Sequence, residues 1–143
     1  MFNGRYTYAI EEKGRIFVPV KFRRGLSPEA EDTFVITRGF DGCLAMYPLD
    51  RWREFEKQLG ELPMSDPEAR RIARWFSANA EYVHLDSQGR IRIPNHLLEF
   101  ARLDSGAVII GVLDRIEIWN PEAYEKHERE SDPTSMHLEG FKF

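Results

Sequence analysis

A ten-residue stretch occurs twice in this chain, and that duplication limits the possible folds more than any other feature of the sequence. Ile10-Glu11-Glu12-Lys13-Gly14-Arg15-Ile16-Phe17-Val18-Pro19 aligns without a gap with Leu85-Asp86-Ser87-Gln88-Gly89-Arg90-Ile91-Arg92-Ile93-Pro94, a shift of 75 residues. A second block follows in the same order: Leu44, Met46, Tyr47 and Trp52 map at a shift of 72 onto Ile116, Ile118, Trp119 and Tyr124. The smaller shift means three fewer residues between the blocks of the second copy, as a shortened loop would give. Two ordered blocks are far harder to obtain by chance than one Gly-Arg-x-x-x-Pro match.

Each copy carries the same elements. Tyr6, Tyr8 and Ile10 alternate as in a half-buried strand, and Tyr82, His84 and Asp86 do so less cleanly. Gly14 and Gly89 permit a sharp or left-handed turn that a Cβ would resist. Ile16 and Val18, like Ile91 and Ile93, begin a second short strand with one face inward, which Pro19 and Pro94 end by removing a ladder donor. Short helical turns are expected next, with Phe22 and Leu26 inward in the first copy and Leu97, Leu98, Phe100 and Ala101 in the second. Two more strands close each unit, at 33–37 and 44–47, then at 107–112 and 115–119. Asp41-Gly42 and Asp114 suit the turns between them. Pro48 and Pro121 are placed at the first position of a helix. Leu49, Trp52, Phe55 and Leu59 then recur at helical spacing and read as a core-facing stripe. Ser65 followed by Glu68 resembles a capping box opening a helix through about residue 80. In that helix Ala69, Ile72, Ala73 and Phe76 share one face, while Arg70, Arg71 and Arg74 fall mostly elsewhere, on a solvated or interface face in preference to a DNA-contacting one.

Strands this short bury little alone. Two copies with this pattern can complete one barrel by exchanging or interleaving hairpins, which would remove exposed edges. The expected organisation is a first unit at 1–62, a connector and helix at 63–81, a second unit at 82–130 and a tail at 131–143, flexible or docked on a neighbour. The tail carries scattered Met136, Leu138, Phe141 and Phe143. The class is α+β, mainly β, with flanking helices.

The net charge of −4 argues against a uniformly basic nucleic-acid binder, but the charge is segregated. Residues 1–26 carry Arg5, Lys13, Arg15, Lys21, Arg23 and Arg24 against Glu11 and Glu12, whereas residues 117–143 hold seven acidic and three basic side chains. The lone Cys43 cannot form an internal disulfide and reads as a small buried side chain, in keeping with a reducing cytoplasm. No segment approaches the roughly 20 apolar residues of a membrane helix, and the N-terminus lacks the pattern of a secretory signal.

Glu11-x-x-x-Arg15 and Asp86-x-x-x-Arg90 each sit inside a Gly-Arg-(apolar)-x-(apolar)-Pro run. With the opening Met1-Phe2-x-Gly4, Tyr8 and the Tyr-Pro and Asn-Pro helix starts, they resemble the doubled Asp-x-x-x-Arg signature of the MraZ family over residues 1–130. The resemblance implies two AbrB-like half-units in a swapped-hairpin, double-psi-like β-barrel. It implies a cytoplasmic, nucleoid-associated regulator that forms rings and binds short direct repeats upstream of the division and cell-wall gene cluster, expected here as a repressor. It makes the basic turn of the first copy the DNA-contacting element. Position 11 departs from the family pattern, being Glu where Asp is usual, so an Asx-type turn bond should be lost. Gln88 also stands where the first copy has Lys13.

A glycine-bent turn would project Lys13 and Arg15 toward a duplex, with an arginine fork fitting a phosphate or a guanine edge. Arg5, Lys21, Arg23 and Arg24 would add backbone contacts, and Glu11 or Asp86 would orient the arginine four residues on. Arg90 suits DNA contact and a purely structural pair equally. Neither a catalytic carboxylate dyad nor a phosphate-cradling loop emerges, and His84, His96, His127 and His137 have no metal-site spacing. No enzyme activity, cofactor or metal is therefore expected. The competing reading is a non-DNA interaction module, antitoxin-like or a ring scaffold.

Overall fold

The structure, a computed structural model, describes residues 1–142. The first copy runs β1 (Arg5–Ala9), a 3-10 turn (Glu12–Gly14), β2 (Arg15–Phe17), α1 (Val20–Arg24), a second 3-10 turn (Pro28–Ala30), β3 (Thr33–Arg38), β4 (Leu44–Pro48) and α2 (Leu49–Gly60). Helix α3 (Pro67–Ser77) connects it to β5 (Glu81–His84), β6 (Arg90–Arg92), α4 (Asn95–Phe100), β7 (Gly106–Val112), β8 (Arg115–Trp119) and α5 (Pro121–Arg129). Helical residues slightly outnumber strand residues, so "mainly β" describes the central frame of this α+β molecule rather than its residue count.

Hydrogen bonding joins the copies instead of keeping them apart. One open sheet has the order β1-β7-β8-β4-β3-β5, and β2 pairs only with β6. The first strand of each copy thus lies against the third strand of the other: β1 on β7, and β5 on β3. The two ladders on the pseudo-twofold axis map onto themselves under the repeat. Leu44 faces Ile118 as Met46 faces Ile116, and Arg15 faces Arg92 as Phe17 faces Arg90.

The core lies where these elements converge. Ile16, Val18 and Phe22 meet Ile91, Ile93 and Leu97 under β3, β4, β7 and β8, all buried. At about 1.5–3 kcal/mol for each buried aliphatic or aromatic side chain, this shared interior stabilises both copies together. Leu49, Trp52 and Leu59 of α2 form a second cluster with Val35 and Phe76, as the helical stripe required. Arg38 bridges α3 to α4, its guanidinium lying 5.4 Å from the Trp75 ring and 4.6 Å from that of Phe100.

Four local expectations need correction. In β5 the inward residue is Val83, while Tyr82 and His84 are exposed; moving one residue along a strand reverses the face, and Val83 is the repeat counterpart of Tyr8. Helix α3 is capped by Asp66, whose side chain accepts from the Glu68 N–H at 2.9 Å, and not by Ser65; Pro67 then takes the first helical position, and the helix stops at Ser77. Pro48 caps α2 instead of opening it, whereas Pro121 does occupy the first turn of α5, behind Asn120. Ile72 is 40% exposed and Trp75 37%, so part of the apolar side of α3 is uncovered. The α3 arginines stay on the surface, with Arg71 paired to Glu68 at 3.0 Å and Arg70 donating to the Met64 carbonyl. Residues 131–142 contain no helix or strand and are largely exposed; Phe143, named with the tail, lies outside the described residues.

Candidate nucleic-acid interface

The two signature turns meet in the β2–β6 ribbon. Side chains alternate across a strand, so the buried Ile16–Ile91 pair places Arg15, Phe17, Arg90 and Arg92 on the opposite, outward face. Both turns close alike. Glu11 N–H donates to the Arg15 carbonyl at 2.8 Å and Asp86 N–H to that of Arg90 at 2.9 Å. Ile93 N–H reaches the Gly14 carbonyl, and Val18 N–H that of Gly89.

Gly14 and Gly89 have φ of +76° and +81°, where a side chain is strained. A Cβ at Gly14 would lie 2.7 Å from the Ile93 carbonyl oxygen, whereas the atoms nearest to one at Gly89 would belong to the end of the Arg23 side chain, which can shift at the cost of its bond to the Val18 carbonyl. Gly14→Ala is expected to cost about 2–3 kcal/mol and Gly89→Ala about 1–2 kcal/mol. Urea denaturation of the two variants checks the order; equal losses would contradict the packing difference.

The carboxylates of the two turns behave differently. Asp86 makes the Asx-type turn: its Oδ1 accepts from the Gln88 and Arg90 N–H groups at 2.9 Å, and its Oδ2 from Arg90 Nε at 2.9 Å. These donors, the Arg90 N–H foremost, hold its carboxyl below the usual aspartate range. Glu11 makes no cap bond, as its extra methylene foretold. It does not orient Arg15 either. Its Oε1 crosses to the other copy and accepts from Arg90 Nη1 at 2.9 Å. Arg90 is therefore held by Asp86, by Glu11 and by the Phe17 ring 5.9 Å away, and the two carboxylates, Asp86 first, raise its pKa further.

Arg15 has none of these partners. Its own-turn carboxylate is spent on Arg90, and opposite it stands Arg92 where Arg90 has a phenyl ring. Lys13 is exposed at the tip of its turn, with φ +63°. Among the described residues neither Lys13, Arg15 nor the exposed Arg24 forms an ion pair. Arg92 was overlooked in sequence because it replaces Phe17 in the repeat and lies outside the signature. Its Nε donates to the Lys13 carbonyl at 3.0 Å, fixing it beside the first turn.

The remaining candidates separate. Arg23 donates from Nε to the Val18 carbonyl at 3.0 Å and lies against Gly89, which makes it a brace between the copies. Lys21 donates to Asn3 Oδ1. Arg5 sits at the end of β1 remote from the turn, bound through Nη1 to both Glu128 oxygens at 2.9 and 2.7 Å and 5.8 Å from the Tyr124 ring. The structure does not bring Arg5 to the ribbon.

Cys43 is fully buried and donates to the Phe40 carbonyl; burial foremost, with Glu117 and Asp41 nearby, pushes its thiol up to about 12. It stays a neutral thiol at neutral pH. Among the described residues no group of three or more His, Cys, Asp or Glu is placed to hold a metal ion, and no helix is long and apolar enough to cross a membrane.

The family described as "MraZ protein, putative antitoxin-like" matches this chain twice, over residues 1–75 and 76–139. A protein of Natranaerobius thermophilus named "Transcriptional regulator MraZ" is 39% identical over 132 residues, spanning 92% of this chain and 90% of its own length. Proteins of the same name from Caldanaerobacter subterraneus subsp. tengcongensis and Lactiplantibacillus plantarum are 39% and 44% identical, over 99% and 92% of this chain and 99% and 90% of their own lengths.

Proposed function

The chain belongs to the MraZ family, and from that premise we propose that it is a DNA-binding regulator of transcription whose Lys13–Arg15 turn meets the phosphate backbone. The observation that carries this reading is the asymmetry of the ribbon. One signature arginine is neutralised by two carboxylates, while the other faces outward with Lys13 and no acidic partner. A local cluster of this kind steers a polyanion whatever the net charge of the chain. The relatives' name supports regulation of transcription.

The finer reading is a repressor that binds short direct repeats upstream of the division and cell-wall gene cluster, acting at the nucleoid as a ring of identical subunits. Its two units, 1–62 and 82–130, form a swapped-hairpin barrel, a reading supported by the exchange of β1 and β5 between copies. One protomer offers few phosphate contacts and would bind weakly; several turns at fixed spacing raise affinity through effective concentration. Self-association is supported by the uncovered apolar groove in which Phe40, Ile72 and Trp75 are exposed.

Binding to a direct-repeat duplex should weaken steeply with salt, with a log–log slope of about −0.9 per phosphate neutralised. Fluorescence anisotropy across a salt series measures it, and a flat response would remove the electrostatic footprint. Light scattering should give a multiple of the protomer mass; the protomer mass alone over a wide concentration range would reject the ring. A non-DNA interaction module is the second reading, favoured by that same groove. Capture of a protein by a chain that never binds duplex would decide for it.

A further inference from the structure

We propose that Arg15 and Arg92 together form a phosphodiester clamp, so that the DNA contact is built jointly by both copies and Arg92 binds backbone directly. This rests on the DNA-binding reading above. The two arginines are Cα partners in an antiparallel ladder, on its outward face. Such a pair has its Cβ atoms about 4.5–5.5 Å apart, and like charges directly opposite are unfavourable. At the other end of the same three-residue ladder the equivalent juxtaposition is relieved: Arg90 faces the Phe17 ring and is neutralised by Asp86 and Glu11. At the Arg15 end no described carboxylate pairs with either guanidinium, and the Lys13 ammonium adds a third positive charge.

The Arg92 side chain is also held in place. Its Nε is committed to the Lys13 carbonyl, which leaves the terminal nitrogens as donors beside the first turn. A phosphate oxygen pair fits two such planar forks and removes the repulsion that the ladder imposes. Arg92 is exposed, so an acceptor can approach its terminal nitrogens from solvent. Free phosphate and the backbone of a duplex share this chemistry, and the clamp is assigned to the duplex.

The test titrates the full chain and its Arg92→Ala, Arg92→Lys and Arg92→Gln variants with a mixed-sequence DNA duplex over a salt series, and separately with inorganic phosphate at matched ionic strength. Arg92→Ala should lower duplex affinity about tenfold and reduce the salt slope by about 0.9. Lysine should restore the slope because it keeps the charge, and glutamine should not, although it keeps a donor for the Lys13 carbonyl. Rescue by glutamine would show that Arg92 only braces the turn and would overturn the proposal. A wild-type slope and affinity in Arg92→Ala would do the same, as would Arg92-dependent binding of inorganic phosphate with Arg92-independent binding of duplex. Should Arg92→Ala not fold, Arg92→Gln against Arg92→Lys carries the comparison. If the unaltered chain binds no duplex at low salt, the DNA-binding reading itself fails, an outcome distinct from all of these.

Discussion

Arg15→Ala is expected not to lower the melting temperature, and to lower affinity for a direct-repeat duplex by about 1–3 kcal/mol per protomer, with larger apparent losses where several protomers engage one DNA. Stability should not fall, because Arg15 forms no ion pair among the described residues, faces the like charge of Arg92, and lies on a strand fixed by the buried Ile16 beside it. Arg90→Ala should give the opposite pattern. Arg90 joins Asp86 of its own turn to Glu11 of the other copy, so its loss frees two carboxylates and loosens both turns. Gel-shift titration beside thermal melting separates the two variants. Arg15→Ala binding as tightly as the unaltered chain would end the assignment of the first turn as the contact.

Trp52→Ala should be the most destabilising single change in the helical layer, at about 3–5 kcal/mol. Trp52 is 2% exposed and packs between Tyr47 and Phe55 at ring-centroid distances of 5.8 and 5.6 Å. That loss is a large share of the roughly 5–15 kcal/mol that holds a domain of this size together. Trp52→Phe should be much milder. The buried indole N–H has no hydrogen-bond partner, so removing it relieves about 1–3 kcal/mol of desolvation that offsets the lost volume. Urea denaturation measures both, and a cost below about 1 kcal/mol for the alanine variant would show that α2 is not anchored by this residue. The salt dependence of DNA binding should stay unchanged wherever Trp52→Phe remains folded, because α2 contributes packing rather than charge to the ribbon.

How much was legible follows from the range over which each signal acts. Ile16, Val18, Ile91 and Ile93 were readable as inward because a strand alternates with period two, and Trp52 because a helix repeats near 3.6. The missing turn bond at Glu11 was foreseeable from one methylene group, but its crossing to Arg90 of the other copy, in place of the expected hold on Arg15, was not. The face of β5 was misread because Tyr82 and His84 are weak apolar markers, whereas the repeat shift from Tyr8 points to Val83. The cap of α3 was misplaced by one residue because Ser65 and Asp66 are both good caps, and only the Pro67 that follows favours the aspartate. Arg92 was readable as outward from the strand alternation but not as a candidate, because it fills the variable position of the Gly-Arg run; its meaning comes from lying across from Arg15.

The sequence by itself determined the duplication, the buried faces of β2 and β6 and the two glycine-bent turns, because each depends on neighbours a few residues away. Only the tertiary structure decided which signature arginine is locked and which is left to bind. That choice rests on Glu11 reaching Arg90, and on Arg92 rather than a ring facing Arg15, contacts between residues 77 or more positions apart. A charge is set free or neutralised by whatever the folded chain places within a few ångströms of it, and no local pattern records that distance.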